Sequence, residues 1–414
     1  MSMSWTRFTL SLSLLLAVPL VWADPPTSPA TNNDANKPVS PGTSEPALPD
    51  FSNWHPLHKA AYLSAHRAAG WLWQANRPDG LFQSGFNPAM NLPLEDDQYL
   101  NQAIATLALA RASSVMQNPS YAARAKQAML ALLSQTKTDP ADPTVRWTMM
   151  PHANVNRLAS ASLLVQTIAE LPAPGADLIE QAEQLANFLR QSQNADGSFQ
   201  VNDASPPALA YHGWALQAIM QSQAIKPANW KLDAARKAAT FYRSWFAGQK
   251  QAAPLPGLIA GFTLAYQQTK EKPFAETALE MADFLLKLQY PPTFQPLLWQ
   301  GGFATLRDGQ AVLDCPTVLD AAFLEGLVYA TQLCQEAGDL TRHERCKQCL
   351  DRGITFLMTL QFTQANTSHF ADWYRPKILG AFQHSPQNGL VNMPNTPMAT
   401  RTLLAYVQLN KPKG

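Results

Sequence analysis

Trp71-Leu-Trp-Gln-Ala-Asn-Arg-Pro-Asp-Gly-Leu-Phe82 and Phe188-Leu-Arg-Gln-Ser-Gln-Asn-Ala-Asp-Gly-Ser-Phe199 are two copies of one pattern. Both run aromatic-Leu, then Gln, then Asp-Gly-x-Phe at identical spacing. The first half returns in Phe284-Leu-Leu-Lys-Leu-Gln289 and Phe356-Leu-Met-Thr-Leu-Gln361, followed later by Gly-Gly-Phe303 and Gly-Ala-Phe382. The copies begin at 71, 188, 284 and 356, which is 117, 96 and 72 residues apart. Five steps of about 57 residues, each long enough for one helical hairpin, cover that interval.

Helical periodicity fills the steps. Apolar residues recur at helical spacing over 57–75, 95–114, 120–136, 153–170, 176–193, 206–223, 228–247, 255–269, 273–289, 315–336, 340–361 and 396–409. Asn118-Pro-Ser120, Pro172-Ala-Pro-Gly175, Lys226-Pro227 and Lys272-Pro273 separate neighbours, because proline cannot continue a helix. Few segments alternate with period two. The expectation is an all-α chain, an (α/α)6 toroid of about six hairpins with an inner ring of helices around a cavity and an outer ring around that.

The Asp-Gly-Ser-Phe element after Gln resembles the repeat of the terpenoid-cyclase and protein-prenyltransferase toroids. The six-hairpin count resembles the glycosidases, polysaccharide lyases and epimerases built on (α/α)6 barrels, and bacterial toroid proteins of undefined activity. The resemblance covers most of residues 55–410 and rests on structural motifs, which identify an architecture rather than a chemistry. The cyclase-type Asp-x-Asp-Asp acid is absent, and Asp314-Cys315 lacks the wider setting of a prenyltransferase zinc site. Val391-Asn-Met-Pro-Asn-Thr-Pro-Met398 departs from the Arg, Asp and His that similar toroids place at the last inner helix. No Walker loop, dinucleotide fingerprint or His-Glu-x-x-His occurs. No cofactor or metal is expected.

The chain has 414 residues, 46% hydrophobic and 15% charged, with 31 basic and 30 acidic residues. A net charge of +1 provides no field to hold nucleic acid or anionic lipid by bulk charge. Arg7 precedes the apolar run from Thr9 to Ala23, which ends in the small-x-small pattern Val21-Trp22-Ala23. Residues 1–23 read as a signal peptide cleaved after Ala23, leaving no stable membrane anchor and a periplasmic or secreted protein. Residues 24–50 hold seven prolines and almost nothing large and apolar, the composition of a disordered Pro-rich linker. The toroid domain then spans 51–414. Asn366-Thr-Ser368 is a glycosylation sequon, meaningful only on a eukaryotic secretory route.

If hairpins run outer then inner, the loops after Gln74, Gln193, Gln289 and Gln361 share the face that holds the inner N-termini. Loop variation and positive helix ends make that the ligand face. Glycoside cleavage needs two positioned carboxyl groups, and lyase or epimerase chemistry a base such as His or Tyr. Asp97, His212 and Asp320 are the candidate catalytic residues on that face. Tyr99, His152, Tyr211, Trp299, Phe303 and Trp373 are candidate substrate contacts, since sugar rings stack on aromatics while their hydroxyls need hydrogen bonds. The plainer readings are aromatic core packing, a helix N-terminal charge cluster at Glu95-Asp-Asp97, and a structural His212.

Four cysteines lie late, at 315, 334, 346 and 349. A turn at Gly338-Asp339 brings Cys334 near Cys346 and Cys349, so a Cys334–Cys346 disulfide is expected, with Cys349 as alternative partner. A metal site using His343 and three of the cysteines is the rival. The functional expectation is an exported carbohydrate-binding or carbohydrate-active protein of glycosidase, lyase or epimerase type, with a polysaccharide or oligosaccharide in the funnel. The alternative is a non-catalytic envelope scaffold; a terpenoid cyclase is disfavoured by its missing acid.

Overall fold

The computed structural model describes residues 48–95, 98–151, 154–200, 206–307 and 309–410, without the side chains of residues 206 and 207. The signal-peptide segment and nearly all of the Pro-rich segment lie outside these residues. Six outer helices are α1 (Pro56–Ala75), α3 (Pro119–Leu133), α5 (Ala176–Gln191), α7 (Asn229–Gln249), α9 (Lys272–Leu288) and α11 (Leu340–Thr359). Six inner helices alternate with them: α2 (Tyr99–Val115), α4 (Arg157–Glu170), α6 (Pro206–Ile225), α8 (Leu255–Thr269), α10 (Ala321–Ala337) and α12 (Asn395–Leu409). Each inner helix packs on the next, α2 on α4, α4 on α6, and so on until α12 returns to α2, so the ring is closed. The fold is all-α, an (α/α)6 toroid.

Composition separates the layers. On α5 the buried residues Leu178, Ala182, Leu185, Ala186 and Leu189 form one stripe, the rest of the helix being polar or partly exposed. On α4 every residue from Leu158 to Ile168 is buried, because an inner helix is covered on one side by its outer partner and on the other by the ring. Backbones of α6 and α8 meet directly: a Cβ on Gly213 would lie 2.3 Å from the Pro254 carbonyl oxygen.

The repeated motif is a clasp. In each copy a short bridge joins the helix end to the aromatic after the glycine: Asn76 to Phe82, Gln193 to Phe199, Gln289 to Phe303 and Gln361 to Phe382. Asn76, not Gln74, therefore holds the first of these positions. The side-chain amide donates to the glycine carbonyl in every copy, at 2.8 Å from Asn76 to Gly80 and 3.0 Å from Gln361 to Gly380. In three copies it also donates to an adjacent outer helix: Gln193 to Ala234 at 3.0 Å, Gln289 to Cys349 at 2.8 Å, and Gln361 to Ser64 at 2.9 Å. Glycine is required because that neighbouring backbone leaves no room: a Cβ on Gly301 would lie 2.4 Å from the Arg352 carbonyl oxygen, and φ there is +87°.

Three helices start later than their periodicity implies. The Asn156 side chain accepts from the Ala159 N–H and caps α4 at 157 rather than 153. Thr317 caps a short 3-10 turn before α10, which begins at 321 rather than 315, and α2 begins at 99 rather than 95. Among the described residues the loops also carry three small antiparallel sheets that periodicity does not reveal. In one of them β1 (Gly85–Asn87) pairs with β2 (Leu92–Pro93) and with β3 (Val391–Asn392), tying the first inner-helix loop to the last.

All four cysteines are thiols in this structure. Cys334 and Cys346 are nonetheless neighbours across the α10–α11 turn, and the Cys346 thiol together with burial raises the Cys334 pKa. Among the described residues no three His, Cys, Asp or Glu side chains come together as a metal site, so the arrangement with His343 is not assembled. Oxidation by a disulfide donor is expected to couple Cys334 to Cys346 with loss of two hydrogens. The bridge would close a loop of about a dozen residues, contributing about 3 kcal/mol in the chain-entropy model. Peptide mapping of oxidised protein that finds Cys334 alkylated as a free thiol would exclude the pairing.

Candidate functional site

Outer and inner helices alternate along the chain, and long loops precede the inner helices except α8, which follows α7 after five residues, so the inner N-termini open on one face. Just inside that face the ring axis holds a small cavity of about 30 Å³, the space of one water molecule. Its walls come from the first turns of α8, α10 and α12 (Pro256, Ala322, Glu325, Met398), from Trp214 and Gln217 on α6, and from Tyr329 and Arg401. Tyr211 lies one turn before Trp214, with ring centroids 5.1 Å apart.

Below the cavity the axis is filled by charge. Arg111, 2% exposed, sits near the end of α2. It donates at 2.6 Å to Glu170, the last residue of α4, and at 2.6 Å to Glu325 of α10. Arg401 of α12 donates to the same Glu325 oxygen at 3.1 Å. Burial disfavours the Glu325 carboxylate, but Arg401 and Arg111 outweigh it and hold its pKa below the ordinary value. Burial likewise opposes the charge on Arg111, and Glu170 with Glu325 more than restores it. Two cations and two anions thus form a neutral plug. Among the described residues, the buried Nε2 of Gln217 and the Nε of Arg401 have no hydrogen-bond partner.

The residues singled out from sequence are dispersed. Asp97 and His152 lie outside the described residues. His212 turns away from the axis: its ring lies 5.7 Å from that of Tyr242 on α7, both nitrogens are buried without partners among the described residues, and burial lowers its pKa to about 4. Asp320 accepts the Phe303 N–H at 2.9 Å. Equivalent N–H groups of Phe82, Phe199 and Phe382 are held by Gln102, the Tyr242 hydroxyl and Thr396, so Asp320 fills a structural position of the clasp. Burial raises its pKa to about 7. Phe303 is buried in the same clasp. Tyr99 is buried with its hydroxyl donating to the Leu132 carbonyl at 3.1 Å. Trp299 stacks on Phe294 within its own loop, and Trp373 is exposed, with the Lys377 Nζ 5.3 Å from its ring. Of the seven among the described residues, Tyr211 alone is placed beside the axial cavity, next to its lining residue Trp214. Gln217, Glu325 and Arg111 escaped the reading, although a lone charge in an Ala/Leu-rich inner helix is a signal of a buried partner.

No known family profile matches the chain, and no curated protein is similar to it in sequence. Solved structures do match. The α-1,6-mannanase GH76A of Salegentibacter sp. HEL1_6 is 13% identical with a TM-score of 0.60, over 84% of this chain and 99% of that one. Cellobiose 2-epimerase from Bacillus thermoamylovorans B4167 is 10% identical, TM-score 0.61, over 85% and 98%. An unsaturated glucuronyl hydrolase specific for heparin is 13% identical, TM-score 0.57, over 85% and 98%. The chain has their six-hairpin fold. These neighbours are carbohydrate-active enzymes, and the mannanase has been seen with α-1,6-mannotetrose.

Proposed function

We propose that the protein is an exported carbohydrate-binding or carbohydrate-active toroid that receives a glycan at the loop face of the ring. The observation that carries this reading is the axial cavity itself. Its wall sets Trp214, with the Tyr211 ring 5.1 Å from it, beside the polar groups of Gln217, Glu325 and Arg401, a combination that suits a sugar and its hydroxyls. The neighbours' chemistry supports the same class. Titration of the mature protein with a neutral oligosaccharide panel is expected to give binding, and Trp214→Ala should weaken it about tenfold, the scale of one lost aromatic face. Binding that is indifferent to Trp214 would move the site elsewhere.

The hydrolytic form of this reading places catalysis at Asp96 and Asp97, the chain's one adjacent pair of aspartates, just before α2. Inactive variants of the structurally similar mannanase carry replacements at two consecutive aspartates. Loss of glycan turnover in Asp96→Asn/Asp97→Asn with binding retained would support catalysis. A non-catalytic binding role is favoured by a different observation: among the described residues the axial cavity is lined by one carboxylate, Glu325, and two arginines already engage it.

Export rests on Val21-Trp22-Ala23. Mass spectrometry of protein recovered outside the cytoplasm is expected to find Asp24 as the first residue. An intact Met1 in that fraction would remove the signal-peptide reading.

A further inference from the structure

Granted the glycan reading above, the sugar rings need a surface that the axial cavity does not give them: about 30 Å³ takes one small polar group and no ring. The loop face offers one. A cleft of about 700 Å³ lies between the two loops that lead into α2 and α12, within the range of about 300–1,000 Å³ usual for small-molecule sites. Its lining combines the side-chain amides of Asn87, Gln383 and Asn388 with the rings of Phe362, His369 and Phe370. Among the described residues that line it there is no Asp, Glu, Lys or Arg.

Two of the amides are set by the backbone. Asn87 Oδ1 accepts from the Ala89 and Met90 N–H groups at 3.1 and 3.2 Å, and Asn388 Oδ1 accepts from the Leu390 N–H at 3.0 Å. An N–H can bond only the oxygen of an amide, so each is oriented and Nδ2 is the half left as a donor. Gln383 brings both a donor and an acceptor. The walls are also tied to each other. Tyr374, stacked on Phe370 with centroids 5.2 Å apart, donates its hydroxyl proton to the Pro88 carbonyl at 2.8 Å, and β1 pairs with β3 through Phe86 and Val391. The loop of Asn87 is thereby fixed to the loop of the other two amides, so binding has little ordering left to do.

We propose that this cleft is the ring-binding subsite of the protein, holding a short neutral oligosaccharide against its aromatic wall, with sugar hydroxyls accepting from Asn87 and Asn388 and bonding Gln383 in either direction. A uronate or sulfate would bring a charge that no lining Lys or Arg compensates, and an amino sugar a charge that no lining carboxylate meets. Hydroxyls, each donor and acceptor, match amides, and the apolar face of a sugar ring matches the phenylalanines.

The test titrates the mature protein with linear neutral gluco-, manno- and xylo-oligosaccharides and with galacturonate oligomers, beside the double variant Asn87→Asp/Asn388→Asp. Aspartate keeps the oxygen that the loop N–H groups need and removes the Nδ2 donors, so a role confined to holding the loops leaves binding unmoved. The expected result is a neutral oligosaccharide bound by the wild type and weakened at least tenfold in the double variant at unchanged melting temperature. Gln383→Leu, which leaves both of those loop contacts in place, should also weaken it, and decides the matter if the double variant does not fold. Equal binding by the wild type and the variants overturns the cleft and leaves the glycan reading to its Trp214 test. A galacturonate oligomer that outbinds every neutral one overturns the proposal as well. Absence of binding by every probe overturns the glycan reading and this inference with it.

Discussion

Replacing Arg111 by Met is expected to destabilise the protein by about 3–5 kcal/mol, the cost typical of removing one partner from a buried ion pair. The guanidinium makes charge-assisted bonds to Glu170 through Nε and Nη2, and to Glu325 and the Arg401 carbonyl through Nη1. Methionine fills much of the same volume, so the loss is electrostatic rather than a cavity. Glu325 keeps Arg401, whereas the Glu170 carboxylate, at an inner-helix end, loses the guanidinium that pairs with it. Adding Glu170→Gln should therefore recover a substantial part of the loss. Denaturant unfolding of the two variants checks this: a single variant within about 1 kcal/mol of wild type would mean that water replaces the guanidinium at little cost.

Much of the toroid was legible because its cues are local. Each outer helix carries its own apolar stripe, and Pro119, Pro227 and Pro273 mark starts that need no tertiary information. The range read for α8, 255–269, coincides with the structure. What failed was also local in kind. Asn156 and Thr317 are capping residues, and apolar periodicity ran on through the extended residues before them. Strands of two or three residues contain too little sequence to show a period.

The site was less legible because it depends on which face of an inner helix meets the axis. Tyr211 and His212 are adjacent, about 100° apart around the helix, so they cannot both face it. The spacing Tyr211, Trp214, Gln217 marks the axial side, and His212 is left against Tyr242 in the outer layer. Asp320 was attractive as an acid at an inner-helix start. Its real relatives are Gln102, Tyr242 and Thr396, a chemically mixed set that no sequence motif joins, since only the position relative to the clasp is shared.

Those two residues give the protein opposed pH dependences, and the wild type is expected to show little of either. Asp320 has a folded pKa of about 7 against an ordinary 3.8, so the folded state binds its proton more tightly. Its contribution to stability is full below 3.8 and is lost as pH rises through 7, by about 4 kcal/mol for a shift of this size. His212 has a folded pKa of about 4 against an ordinary 6.5, so it contributes above 6.5 and that contribution is lost as pH falls through 4. The same conversion gives about 3 kcal/mol. Between pH 4 and 6.5 the two slopes have opposite sign and largely cancel. Asp320→Asn keeps a side-chain oxygen to accept the Phe303 N–H while removing the titration. It should stabilise the protein at pH 8 and expose a stability that falls steadily from pH 6.5 to 4. His212→Gln should do the converse, leaving stability that falls as pH rises from 4 to 7. Unfolding free energies measured from pH 4 to 8 on the three proteins test this, and parallel profiles would mean that neither group titrates within the folded clasp.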